Sequence, residues 1–208
     1  MSAGPDRVEQ LTSLSKAKAF LGREFLTWLW YSVESTDGAL SVQLQGEKVP
    51  VEFDLWIDDR IALENSNGLA HQSVIKGGDP SQSREAAVSL ATGKTVRELK
   101  LGMNVAGIGE FSAVLNCDDL NPRSLKLPAP GNQEPARTGS ADQRQAPSGA
   151  VPLTHRLQMI STFVGILDEL FAKFLAVRVA EDWESKGLLS MRDWIKARQS
   201  RVASGIMH

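Results

Sequence analysis

The chain reads as an α+β protein, an antiparallel β-sheet packed with an aromatic N-terminal helix and two C-terminal helices. Three observations predict this. Apolar residues recur at helical spacing over residues 13–31, at a strict period of two from residue 40 onward, and again at helical spacing after residue 153. The connections between the period-two runs are too short for parallel crossovers, so the strands pair antiparallel as a meander.

The first helix is expected at residues 13–31, with Thr12 or Ser13 as N-cap. Leu14, Ala17, Leu21, Phe25, Trp28 and Leu29 fall on one wide stripe, its core face. Leu26 and Trp30 project nearly opposite, beside Arg23 and Thr27, so the helix is apolar on two sides and suits a place between two layers or against another chain. After Thr36-Asp37-Gly38, Leu40, Val42 and Leu44 alternate with polar residues, and Val49, Val51, Phe53, Leu55 and Ile57 do the same beyond a turn at Gly46-Glu47. Asp58-Asp59 is expected to turn the chain into a third strand, Arg60 to Glu64, and Ser73 to Lys76 reads as a fourth. A short helix follows at 82–92, capped by Ser81 or Ser83 and closed by Gly93. Residues 95–105 and 110–117 form a hairpin across Ala106-Gly107-Ile108-Gly109, and Ser124 to Leu127 a last strand.

Residues 129–152 contain four prolines, three glycines and no aromatic residue, the composition of a flexible linker. They divide an α+β domain (1–128) from a helical segment (153–208) that can pack back on the first domain or on a second chain. In that segment Thr154 is expected to cap a long helix whose Leu157, Ile160, Val164, Leu167, Phe171 and Phe174 step 3, 4, 3, 4, 3, the seam of a helix packed lengthwise on a partner. A final helix runs from about Leu188 to Arg201. The two-sided first helix and this seam together predict a homodimer.

Composition excludes several function classes. With 208 residues, 42% hydrophobic and 23% charged, the chain suits an ordinary globular core. It has no apolar run long enough for a bilayer, and its polar N-terminus offers no secretory signal, so a cytoplasmic protein without membrane partners is expected. One cysteine and three scattered histidines exclude an internal disulfide and give no zinc-ligand set, and no cofactor or metal is expected. The formal charge of −2 is unevenly spread: from residue 185 onward Lys186, Arg192, Lys196, Arg198 and Arg201 stand against Asp193, a local +4 that leaves −6 on the rest.

The candidate motifs each meet a simpler structural reading. Gly93-Lys94-Thr95 resembles the end of a phosphate-binding loop, but position 88 is Val where that loop needs Gly, and the motif follows a helix instead of opening one. Gly107-Ile108-Gly109 with Ser112 is a partial dinucleotide fingerprint that continues as a strand, which makes it a hairpin turn. Glu52, Asp54, Asp58, Asp59 and Glu64 are the densest acidic group; a metal-dependent nuclease would use Asp54 and Asp58, and the solvated side of an amphipathic hairpin explains them more simply. His71, His155 and His208 are isolated. Cys117 beside Asp118-Asp119 is a disfavoured thiolate. Glu24, between Phe20 and Trp28, is either a buried acid or the partner of a basic side chain such as Arg23. The basic C-terminal helix, with Arg192 and Lys196 at i, i+4 and Arg198 and Arg201 nearby, is the one feature suited to DNA phosphates; a solvated face stabilised by the helix dipole is its simpler reading.

The segment Phe20-Leu21-Gly22-Arg23-Glu24-Phe25-Leu26-Thr27-Trp28-Leu29-Trp30-Tyr31 resembles a signature of the recombination-associated RdgC-like proteins of bacteria. Asp54-Leu55-Trp56-Ile57-Asp58-Asp59-Arg60-Ile61-Ala62-Leu63-Glu64, Lys76-Gly77, the Glu85-Ala86-Ala87 helix ending at Gly93-Lys94, and Ser124-Leu125-Lys126-Leu127-Pro128 follow in an order similar to the later half of the longer members. The likeness covers residues 13–128, more weakly the C-terminal helices. It implies a non-enzymatic, dimerising protein that binds DNA without sequence preference, in the best-known members as a ring around duplex DNA, and restrains the recombinase RecA. A nucleoid-associated place in the cytoplasm would follow. No DNA-contacting position of the family is carried over, so Arg192, Lys196, Arg198 and Arg201 rest on local charge alone. A protein-interaction module that binds no nucleic acid is the alternative.

Overall fold

The structure is a computed structural model that describes residues 5–65, 72–129 and 152–204, with side chains from residue 18 onward in the first helix and without those of 202 and 203. His71, His208 and residues 130–151 of the expected 129–152 linker lie outside the described residues.

Helix α1 spans Pro5–Ser35, two turns longer at its start than the apolar stripe predicts. Thr12 and Ser13 therefore lie inside the helix and do not cap it. The run Asp6 to Leu11 contains no Gly or Pro to stop propagation, and proline suits a first helical position because its missing N–H would have no partner there. At the other end Gly38, at φ 82°, reverses the chain so tightly that a Cβ would come 2.7 Å from the Leu55 carbonyl oxygen. The Leu55 amide donates to the Gly38 carbonyl at 2.9 Å, tying the helix end to the sheet.

The strands are β1 (Ala39–Val42), β2 (Val51–Asn65), β3 (Ser73–Lys76), β4 (Lys94–Val105), β5 (Gly109–Asn116) and β6 (Arg123–Lys126). They form one antiparallel sheet in the order β1-β2-β4-β5-β6, with β3 pairing β2 beyond β1. This is not the simple meander expected, because β4 returns across a helix to the free side of β2. The Asp58-Asp59 turn is also corrected. β2 runs through it as one strand of 15 residues, and the register slips there: Ile57 faces Leu101 and Ile61 faces Leu99, so Asp58, Asp59 and Arg60 share the single partner Lys100. This bulge keeps Ile57 and Ile61 both on the core side while the charged residues leave it.

Helix α2 (Arg84–Ala91) begins where Ser83 accepts from the Ala86 amide, as its sequence predicts, and Gly93 follows its end at φ 83°. A 3₁₀ turn at Pro80–Gln82 precedes it. Helix α3 (Leu153–Arg178) starts one residue before Thr154, which sits in its first turn; Pro152 takes the cap position with no side-chain cap. A π-helical turn, Trp183–Gly187, leads into α4 (Leu188–Ala203).

One hydrophobic core joins all of these elements, so the helical segment packs back on the α+β domain. Phe53, Leu55, Ile61, Leu101, Met103 and Phe111 of the sheet meet Phe25, Leu26, Leu29 and Trp30 of α1 and Met159, Phe163, Ile166 and Phe174 of α3. Leu26 and Trp30, on the second apolar side of α1, are fully buried. The α3 seam is corrected. The buried face is Met159, Phe163, Ile166, Leu167, Leu170 and Phe174, so Leu167 and Phe174 of the expected seam are buried while Leu157 and Ile160 stay 55% and 36% exposed. α3 carries two adjacent apolar stripes, and the broad sheet takes the one with more aromatic bulk, packing Phe163 tilted against Phe111 at 5.5 Å between ring centroids. Among the described residues no helix is long and apolar enough to cross a membrane.

Candidate nucleic-acid interface

The four predicted phosphate contacts separate into two groups. Arg192, Lys196 and Arg201 are exposed on α4. Arg198 is 1% exposed and points the other way, into the contact between α4 and α1. It is therefore withdrawn from the candidate contacts, because helix periodicity carries it to the side of α4 shared with Met191, Trp194 and Ile195.

Glu34, a residue not singled out from the sequence, organises that contact. Its carboxylate accepts from both indoles that flank it, Trp30 Nε1 at 2.7 Å and Trp194 Nε1 at 2.9 Å, and from Gln82 Nε2 at 3.4 Å. Arg198 Nη1 donates to both carboxylate oxygens. The guanidinium lies over the two indoles, 4.9 Å from the Trp30 ring centroid and 5.3 Å from that of Trp194, so two cation–π contacts add to the ion pair. Each tryptophan precedes its charged partner by one helical turn. That i, i+4 repetition, Trp30–Glu34 and Trp194–Arg198, was the available sequence signal. The pair fixes the orientation of α4, so Arg192 and Lys196 are held outward one turn apart. Lys196 is 3.5 Å from Asp193, but both side chains are more than 70% exposed and water screens the pair.

The far face of the sheet has the opposite character. Asp58 and Asp59 both bind Lys100 Nζ, at 3.0 and 2.9 Å, and Ser112 Oγ donates to Asp58 at 3.3 Å. Burial works to raise the Asp58 pKa, but the Lys100 bond and charge and the Asp59 amide outweigh it and hold the carboxyl below its ordinary value. Hydrogen bonds to the same two carboxylates raise the Lys100 pKa. Asp54 stands apart, opposite Asn104 in the register, and Glu64 binds Arg23 and Arg97, each at 2.6 Å. The acidic group is thus dispersed: Asp58 is committed to a lysine, and among the described residues no cluster of three or more His, Cys, Asp or Glu is placed to hold a metal. Beside it Trp56 lies over Gly102, where a Cβ would come 2.1 Å from the indole. Glu52, Asp54 and Glu110 at this end of the face have no ion pair among the described residues, a field that repels phosphate.

The remaining candidates resolve into structural roles. Glu24 pairs with Arg178 at 2.9 Å, and Arg23 turns to Glu64. Cys117 is buried, and burial, reinforced by Asp118, pushes its thiol up to about 11. His155 is half-buried in the first turn of α3. Gly107 and Gly109 make the β4–β5 hairpin at φ 76° and 117°. Compared with known proteins, the chain matches no family model, no curated protein and no solved structure.

Proposed function

We propose that this protein is a non-enzymatic DNA-binding accessory protein of recombination or repair, which holds DNA without sequence preference and acts on a RecA-type recombinase. One observation carries the reading: Arg192 and Lys196 project together from a helix that the buried Glu34–Arg198 pair locks in place, with Arg201 exposed near its end. A rigid helix loses little conformational freedom when its cations meet phosphate. Contacts of this kind are Coulombic and read no bases, which suits binding without sequence preference. The acidic far face of the sheet restricts DNA to the helical side, and the aromatic helix that resembles the RdgC-like proteins supports the biological setting.

The test is fluorescence anisotropy of labelled duplex and single-stranded DNA, titrated at low and at physiological salt. Two or three phosphate contacts give a slope of log K against log salt of about −2 to −3. Replacing Arg192, Lys196 and Arg201 with Gln flattens that slope. No binding at low salt, or a slope unchanged in the triple variant, overturns the reading.

A protein-interaction module without nucleic acid is the second reading, favoured by the exposure of Leu153 and Leu157, 71% and 55%. Partner binding that is insensitive to salt would select it.

A further inference from the structure

We propose that the cleft between α1, α3 and the β5–β6 connection binds a free α-amino acid with a large apolar side chain, its ammonium group on Asp168, its carboxylate on Lys18 and its side chain inside. The site has no residue of α4 in its lining and does not depend on the nucleic-acid reading.

The cleft holds about 550 Å³. That lies within the range of small-molecule sites, roughly 300–1,000 Å³. Leu21 and Phe25 of α1 form one wall, Leu167 and Phe171 of α3 the other, and Leu115 and Leu120 the floor. Helical spacing puts them there. Lys18, Leu21 and Phe25 recur at i, i+3 and i+7 on one face of α1, and Leu167 and Phe171 stand one turn apart on α3. Phe25 and Phe171 meet edge to face at 5.1 Å between ring centroids, which closes the aromatic end of the cleft. The floor is preformed: Leu120 is held at φ 57°, rare for a leucine, and the Asn121 amide donates to Asp119 Oδ1 at 3.2 Å. Leu21, Leu120 and Phe171 are only half-buried, so apolar surface remains for a ligand to cover.

Charge at the mouth selects the head group. Lys18 on α1 and Asp168 on α3 line the cleft from its two helical walls, and both are exposed. Neither has an ion pair among the described residues. Asp119, the other acid of the lining, is already taken by Arg123 at 3.0 Å, so one cation and one anion remain. A ligand with a single charge meets one of them and is repelled by the other. A head that carries both signs on one carbon satisfies both walls. An α-amino acid is such a head, and its side chain springs from the same carbon, so seating the two charges at the mouth sends the side chain inward. Phe25 and Phe171 favour an aromatic side chain there, through ring contacts that an aliphatic one lacks.

Isothermal titration calorimetry of the full chain with L-phenylalanine is expected to show binding at a single site. Phenylpropionate, which lacks the ammonium group, and phenethylamine, which lacks the carboxylate, should each bind about fivefold or more weakly. The variants should then cross over. Asp168→Asn weakens L-phenylalanine and phenethylamine but not phenylpropionate, whereas Lys18→Gln weakens L-phenylalanine and phenylpropionate but not phenethylamine. Both side chains are exposed, so both variants should melt as the parent chain does. No heat from L-phenylalanine at millimolar concentration, either single-charge probe binding as tightly as L-phenylalanine, or an affinity for L-phenylalanine unchanged in both variants overturns the proposal.

Discussion

Glu34 and Arg198 lie 164 positions apart in the chain and form one ion pair in which a single guanidinium nitrogen, Nη1, meets both carboxylate oxygens, with the rings of Trp30 and Trp194 packed edge to face beside it. The guanidinium is out of reach of water, yet its Nε and Nη2 find no partner among the described residues. Such a pair adds little net stability, because both charges have left water, but losing one member strands the other.

Arg198→Ala is therefore expected to cost about 3–5 kcal/mol in urea denaturation. The double change Glu34→Gln, Arg198→Met, which removes both charges and keeps apolar bulk against the indoles, should recover part of that loss.

The two stripes of α3 predict opposite sensitivities. Phe163→Ala, which empties a fully buried position against Phe111, should cost about 3–5 kcal/mol. Leu157→Ala, at a position 55% exposed, should stay within about 0.5 kcal/mol at low protein concentration. Equal costs would mean that α3 is rotated about its axis.

Gly22 is where α1 touches the sheet end: a Cβ there would lie 1.9 Å from the Cys117 carbonyl oxygen. Backbone cannot swing aside as a flexible side chain can, so Gly22→Ala should destabilise at the upper end of the ~1–3 kcal/mol range of overpacked sites. Gly78→Ala, with open space around it, is the control and should be silent in the same melt.

Acid should act through Asp58. Its folded pKa lies below the ordinary 3.8, so the unfolded chain binds the proton first as pH falls. The stability it contributes is complete well above pH 3.8 and is lost as pH falls through the lower folded value. Asp58→Asn should be less stable than the parent at neutral pH and lose less between neutral pH and pH 3, as measured by denaturant midpoints.

Alkali should act through Cys117, with the opposite sign. Its thiol is raised from 9.0 to about 11, so the unfolded chain gives up the proton first and stability falls as pH rises between those values. At neutral pH a disulfide reagent should modify it slowly in the folded chain and rapidly in urea. Fast modification without denaturant would show that the thiol is not buried.

Local pattern made much of the fold legible. The hairpin around Gly107, the Ser83 cap, the Ser73–Lys76 strand and the α+β class all follow from periodicities and turn residues that act within a few positions. The errors share another cause. Asp58-Asp59 reads as a turn because two adjacent acids oppose a strand, and only Lys100, 41 residues after Asp59, neutralises them and permits the bulge. Arg198 reads as a surface cation because charge usually is one, and only Glu34 and two tryptophans make its burial possible. The choice between two stripes of α3 was made by the shape of the sheet that receives them. Which segments coil, which extend and most of the turns follow from preferences that act as local energies along the chain. Which charges are neutralised inside the molecule and which remain outside follows from packing, because desolvation and ion pairing depend on residues that only folding brings together.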